Sequence, residues 1–426
     1  MPKPSPSKPR SSKPSLSPSL SKPSLALNNL RTFAILLVLA VHASVAYLGS
    51  SPTAPIPFDD PPFRWRALPI VDGDRFFGFD IFCAHQDTYL ITLLFFVSGL
   101  FVWGSLARKG AWHFVRDRIV RIAIPFALAV YVLMPLAHYP VYAATASDPS
   151  IAAYGRHFMA LPLWPSGPPW FLWVLFSFNV GAAVLWQYAR GPCEAFGHAA
   201  KWLGARPAAF VTVLLAVSAL AYVPLALALT PWAWHQTGPF AFQECRPLLY
   251  AVWFFAGTAV GANGIEQGVF APGGALARRW RTVLVAALAA FALWLTCAAF
   301  EATAAAPPLS LRVLEALAFV PCCTASCLFM LAVFLRFFNG PIRLLDALCS
   351  KAYGMYLVHY LFSIWLQFML LGLVLGTGGA IVKGVIVFLG TAALSYASVA
   401  LGQRFIAAAG TIGRRDAGTA ETAVPS

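Results

Sequence analysis

An arginine and a histidine sit eleven residues apart in one apolar run near the start of the chain, Arg31-Thr-Phe-Ala-Ile-Leu-Leu-Val-Leu-Ala-Val-His42. At about 100° per residue, eleven steps return to within about 20° of the starting direction, so the two side chains share a helix face. They are separated by ~16 Å along the axis. An ionisable group that deep in an apolar helix is costly to hold and marks a functional site by default. A neutral imidazole there is suited to general-base chemistry. A plain buried histidine, hydrogen-bonded to a neighbouring helix, is the other reading of this segment alone.

Further groups of chemical interest follow in order. Phe114-Val-Arg116-Asp-Arg118-Ile-Val-Arg121-Ile-Ala-Ile-Pro125 places Arg118 and Arg121 three apart, facing the same way at the start of an apolar run. Arginines there can anchor a helix end by snorkelling, or cradle phosphate groups through bidentate contacts, with Arg116 beside them. Pro168-Pro-Trp170-Phe-Leu-Trp173 opens another apolar run, where tryptophans are common as interfacial belt residues. Ala352-Tyr-Gly-Met-Tyr-Leu-Val-His359-Tyr360 puts Tyr353, Tyr356 and Tyr360 on one face with His359 adjacent, a second buried histidine in a polar-aromatic stripe. Phe95-Phe-Val-Ser-Gly99 offers Ser98 and Gly99 for close helix contact. No metal site is expected.

The elements that must hold these residues are transmembrane helices. Of 426 residues 59% are hydrophobic and 11% charged, against roughly a quarter charged in a soluble domain. Mean hydropathy is +0.70. Apolar stretches of about 18 or more residues recur, each long enough to cross a ~30 Å hydrocarbon core. The expected fold is all-α, a polytopic membrane bundle of about ten transmembrane helices with both termini cytoplasmic. The spans read as 30–49, 88–106, 119–137, 169–189, 207–230, 247–263, 283–300, 313–335, 352–373 and 380–402, the sixth being short. No segment alternates apolar and polar residues strictly, which argues against a transmembrane β-barrel.

Orientation comes from charge. With the N-terminus inside, 23 of the 30 Lys and Arg fall on the cytoplasmic side, and 10 of the 16 acids fall outside. That is the positive-inside asymmetry. It accounts for the formal charge of +14 topologically and leaves no need for a nucleic-acid partner. Inner loops are short and basic, while the outer segments 50–87 and 138–168 are long enough for a lid or an acceptor surface. The chain divides into a Pro/Ser/Lys tail over 1–26, a membrane domain over 27–405 and a second tail over 406–426, both tails expected to be disordered and cytosolic. A signal peptide competes for the first 50 residues, but its apolar run is long and carries the Arg31–His42 pair. The eight cysteines are scattered. Cys322, Cys323 and Cys327 read as small core residues, and Cys83 and Cys245 as free thiols rather than a disulfide. There is no internal repeat of the kind common in secondary transporters.

Arg-x10-His, the Phe-Phe-x-Ser-Gly turn, Arg-x-x-Arg before Pro125, Trp-Phe-Leu-Trp and Tyr-Gly-x-Tyr-Leu-x-His occur in that order between about residues 28 and 365. Together they resemble the type 3 membrane acyltransferase family, which includes polysaccharide O-acetyltransferases and the succinyltransferase of periplasmic glucans. The resemblance implies an enzyme of the bacterial cytoplasmic (inner) membrane. It would move an acyl group, acetyl or succinyl, from cytosolic acyl-coenzyme A to a hydroxyl of an extracytoplasmic glycan. His42 and Arg31 carry over as the core pair, and Arg116, Arg118 and Arg121 as candidates for the coenzyme phosphates. His359, Tyr356, Trp170 and Trp173 are further candidates. The sequence departs from the family where many members have a histidine before the aromatic run of the second span. Leu90 stands there, with His85 and Asp87 earlier. Leu27-Asn-Asn-Leu-Arg31 also lacks a frequent acidic residue, and no hydrolase-like domain follows the last span. A transporter of acylated or lipid-linked sugars is the alternative from another functional class, and acyl-coenzyme A binding separates the two.

Overall fold

A computed structural model describes residues 24–264 and 268–421, with 407–421 and several positions in 190–200 described by backbone alone. Of the expected N-terminal tail, residues 1–23 lie outside the described residues. The first helix, α1 (Leu25–Ser44), starts where Ser24 Oγ accepts a hydrogen bond from the Leu27 amide at 3.4 Å, the usual N-cap arrangement. There follow α2 (Phe77–Gly99), α3 (Val102–Ala143), α4 (Ile151–Ala160), α5 (Trp170–Tyr188), α6 (Arg190–Gly204) and α7 (Pro207–Leu229). A two-stranded antiparallel hairpin, β1 (Trp234–Thr237) with β2 (Phe240–Gln243), precedes α8 (Pro247–Ala262). The second half continues through α9 (Trp280–Thr303), α10 (Leu309–Phe337), α11 (Arg343–Cys349), α12 (Ala352–Leu370) and α13 (Gly379–Glu421). The last helix runs to Glu421, into the stretch 406–426 expected to be a tail, of which residues 422–426 lie outside the described residues.

Among the described residues, eight helical stretches are long and apolar enough to cross a membrane: α1, α2, α3, α5, α7, α9, α10 and α13. The chain is a multi-pass membrane protein. Two expected spans fall outside that set. Helix α8 has 16 residues, and α12, with 19, carries the polar residues Tyr353, Tyr356, His359 and Gln367.

Several expected boundaries are corrected. The second span begins at Phe77 rather than residue 88, so Cys83, His85 and Asp87 lie on a helix and not in an outer loop. Its polar first half, Asp80 to Thr88, hides the helix from a hydropathy reading. The third span belongs to a continuous helical stretch from Val102 to Ala143, bent at Gly110 (φ 72°, ψ 167°) and wound as π-helix over Ile119–Ala123 and Ala129–Leu133. Pro135 and Pro140 are both accommodated in its last turns, which run on to Ala143, beyond the expected end of the span at 137.

Helix α10 runs through the core, with Cys322, Cys323 and Cys327 fully buried, as expected for small interior residues. Cys83 and Cys245 are free thiols. Helices α2 and α8 pack backbone to backbone. A Cβ on Gly257 would collide with the Phe96 carbonyl, one on Gly261 with that of Leu100, and one on Gly99 with that of Phe254. Such small-residue contacts replace the hydrophobic drive that lipid removes. Large apolar side chains such as Leu220, Val285 and Phe300 point outward, where hydrocarbon meets them without cost.

The segment between α1 and α2 is folded onto the bundle. Lys383 Nζ lies 2.7 Å from Asp72 Oδ1, 2.9 Å from Asp72 Oδ2 and 3.0 Å from Asp74 Oδ2. The Lys383 and Asp72 side chains are each only 1% exposed. Arg75 donates to the carbonyls of Ser51 and Pro52, and Asp80 accepts from the Gly49 and Ser50 amides. Trp65 stacks on Phe58 at 4.8 Å and is fully buried.

Candidate active site

Helices α1 and α12 lie side by side in register. At one end Arg31 reaches the Cys349 sulfur, 4.0 Å away, just before α12 begins. About 16 Å further along, the His42 and His359 rings meet with centroids 5.1 Å apart. Spacing along each helix therefore carries both elements to the same depth. Gln367 of α12 continues the zipper, donating to the His42 carbonyl at 2.7 Å.

His42 is half-buried and lines a cavity of about 610 Å³. Val38, His42 and Val45, successive turns on one face of α1, form one wall. Tyr356 and Tyr360 of α12 form another, and the Tyr360 ring meets that of His42 edge-on at 5.1 Å. The Tyr356 hydroxyl donates to the Pro168 carbonyl at 2.5 Å, fixing the turn into α5 so that Trp170 faces the cavity. Gly167 in that turn has φ 51°, and a Cβ there would press on Met134 and Tyr360. Only glycine suits both constraints.

His359 is fully buried. Its Nδ1 lies 2.6 Å from the Tyr356 carbonyl, and a carbonyl only accepts, so Nδ1 carries the proton and Nε2 is an acceptor. That Nε2 has no hydrogen-bond partner among the described residues. The candidate residues thus separate. His42, Tyr356 and Trp170 line the cavity, and His359 backs His42. Tyr353 reaches the other way, donating to the Arg121 carbonyl at 2.7 Å. Trp173 lies off the cavity, where its Nε1 donates to the Ala241 carbonyl at 2.8 Å and holds the hairpin.

The arginine cluster of α3 is at the Arg31 end of the bundle, away from the cavity. Arg118 and Arg121, three apart across the start of a π-wound turn, differ in exposure. Arg118 is half-buried over the Phe114 ring at 4.7 Å, with no partner for its Nε among the described residues, whereas Arg116 and Arg121 are exposed.

The mouth of the cavity is built from the α1–α2 segment and the hairpin. Arg64, Arg66, Trp232, Trp234 and Gln236 line it. Arg66 Nη1 donates to Gln236 Oε1 at 2.7 Å, tying the two roof pieces together. Burial lowers the Arg66 guanidinium from its ordinary value, and arginine stays charged at neutral pH regardless. Asp87 of α2 also faces the cavity, its carboxylate held by Arg246 Nη2 at 2.6 Å, while Arg246 Nη1 donates to the Asp87 carbonyl at 2.7 Å. Arg246 is buried and sits over the Phe319 ring at 5.0 Å. His85, two residues earlier, turns away and meets Ser326 at 3.3 Å.

The site thus combines a histidine in the last turn of α1 with polar and aromatic walls, and an arginine-bearing region at the opposite end of the same helix. The profile described as an acyltransferase domain, type 3, matches residues 24–400, nearly the whole chain. The chain belongs to the type 3 acyltransferase family. No curated protein and no solved structure matches it.

The acyltransferase thus carries its five sequence patches on one connected framework, yet several cavity residues had no such signal. His138 is the clearest. It lines the cavity from α3, one residue beyond the expected span 119–137. Arg246 and Lys383 were isolated charges in the sequence, and only their acidic partners, 159 and 311 residues away in the chain, give them meaning.

Proposed function

We propose that this acyltransferase moves a short acyl group, acetyl or succinyl, from cytosolic acyl-coenzyme A to a hydroxyl of an extracytoplasmic glycan across ten spans of a bacterial inner membrane. The two spans beyond the eight long apolar helices are α8 and α12. The observation that carries this reading is His42, in the last turn of α1, facing a cavity with aromatic walls while Arg31 stands toward the other end of the same helix. With the positive-inside orientation, the Arg31 end is cytoplasmic. There Arg116 and Arg121 are free to meet phosphates. The cavity then opens outward, and Trp170, Trp232 and Trp234 offer flat apolar faces for sugar rings, with Asp87 and Gln236 for their hydroxyls.

In this mechanism His42, as a neutral imidazole, accepts the proton of the acceptor hydroxyl as its oxygen attacks the thioester carbonyl. A C–O bond forms and the C–S bond breaks. The thiolate of the coenzyme leaves and takes the proton back from His42, so the base is regenerated. His359 stands behind His42 and limits its orientation.

The test uses the purified protein in liposomes, titrated with acetyl- and succinyl-coenzyme A. Saturable binding of one donor, weakened in Arg121→Ala, supports the reading. No binding of either donor by folded protein contradicts it.

A further inference from the structure

A second imidazole shares the cavity. His138 is 1% exposed and lines the cavity from the last turns of α3. Its Nδ1 is 2.8 Å from the Met134 carbonyl, so Nδ1 must be the protonated nitrogen and Nε2 the acceptor. Among the described residues no side chain or backbone group pairs with that Nε2. The ring is held on both sides. Trp65 meets it edge-on at 5.3 Å, and Tyr360 lies 5.9 Å away. Tyr360 is also the ring that meets His42 at 5.1 Å. The two histidines therefore flank one tyrosine along the same cavity. The π-helical segment Ala129–Leu133 ends just before Met134 and sets the phase with which His138 turns inward. Such π insertions are frequent at functional sites.

We infer that His138 is the acceptor-side positioning residue: its Nε2, presented to the cavity across Tyr360 from His42, accepts a hydrogen bond from a sugar hydroxyl of the glycan acceptor. This rests on the proposed acyl transfer and adds a division of labour. His42 receives the proton of the hydroxyl that is acylated, and His138 holds a neighbouring hydroxyl of the same sugar so that the reactive one points at His42. Trp65 gives the position its rigidity. It anchors the α1–α2 segment through its Nε1 bond to the Phe58 carbonyl at 2.8 Å and packs directly against the His138 ring. The outer segment and the acceptor contact are thereby coupled.

Asparagine and glutamine substitutions separate this role from a purely structural one. The amide of asparagine replaces Nδ1 and can keep the bond to Met134, but it cannot reach the cavity. The amide of glutamine reaches the Nε2 position instead. Membrane vesicles from a glycan-producing bacterial host expressing the full chain are given radiolabelled acetyl- or succinyl-coenzyme A, and alkali-labile label on glycan is counted. Donor affinity and thermal stability are measured on the same variants after purification. The expected result is that His138→Asn lowers glycan labelling by about tenfold, the value of roughly one hydrogen bond. Its donor affinity and melting temperature stay at wild-type values, and His138→Gln retains more labelling than His138→Asn. Labelling by His138→Asn equal to wild type would overturn the inference while leaving acyl transfer standing. A parallel loss of labelling and stability in both variants, with no advantage for glutamine, would assign His138 a structural role and overturn it too. Absence of labelling by wild type with either donor would remove the proposed function first, and this inference with it.

Discussion

The His42 and His359 rings lie 5.1 Å apart at an angle of 46°, on two helices that place them at the same depth. His359 has its Nδ1 committed to the Tyr356 carbonyl and an Nε2 with no hydrogen-bond partner among the described residues. A buried acceptor left open beside a candidate base points to a role in orienting that base rather than in holding the fold. His359→Phe keeps a ring of similar shape and removes both nitrogens. Acyl transfer should fall by about 10- to 100-fold while stability changes by less than about 1.5 kcal/mol. Steady-state kinetics beside thermal unfolding in detergent checks this, and an equal loss in both would assign His359 to the fold.

The three arginines of α3 should behave differently. Arg116 and Arg121 are exposed and Arg118 is half-buried against Phe114. Arg121→Ala and Arg116→Ala should each weaken acyl-coenzyme A binding by about 5- to 20-fold, an effect that shrinks as salt is raised. Arg118→Ala should instead lower stability through lost packing. Isothermal titration at two ionic strengths separates the cases.

Asp87 and Arg246 form a pair in which one partner is buried and the other faces the cavity. Removing the carboxylate leaves a buried guanidinium without a counter-charge. Asp87→Ala should therefore cost about 3–5 kcal/mol, seen as a lower melting temperature. Replacing both residues, as Asp87→Ala with Arg246→Met, should recover much of it. No recovery in the double variant would mean that the carboxylate, and not the stranded charge, supports the fold.

Lys383 ties Asp72 and Asp74 to α13. Its hydrogen bond, with the Leu375 amide, holds the Asp74 carboxyl below its usual value. A depressed carboxylate contributes stability above its unfolded value of about 4, and that contribution fades as pH falls through the folded value. The stability gap between wild type and Lys383→Met should be large at neutral pH and narrow below about pH 4. Melting curves across that range test it, and a gap that widens in acid would contradict the assignment.

Much of this was legible in the sequence, because a transmembrane helix announces itself by length and apolarity, and because Arg31, His42 and His359 stand out in such helices. Both ends of the Arg-x10-His segment meet the same neighbour, Arg31 at Cys349 just before α12 and His42 at His359 within it. The start of helix α2 differs from the expectation because its first half carries Asp80, His85, Gln86 and Asp87, which break the apolar run that marks a span. His138 lies one residue past the expected span 119–137, and only the π-wound continuation of α3 through Pro135 and Pro140 carries it to the cavity. The roof was invisible for another reason. The bonds between Arg66 and Gln236, and between Lys383 and Asp72, join residues far apart in the chain, and no local pattern encodes such a pairing.

The most direct measurement is acyl transfer to glycan by wild type and His42→Ala in vesicles supplied with labelled acetyl- and succinyl-coenzyme A, with donor binding measured in parallel. The account predicts that His42→Ala binds the donor as wild type does and loses transfer by at least about 100-fold. A variant that still transfers at a comparable rate would contradict the placement of the chemistry at His42.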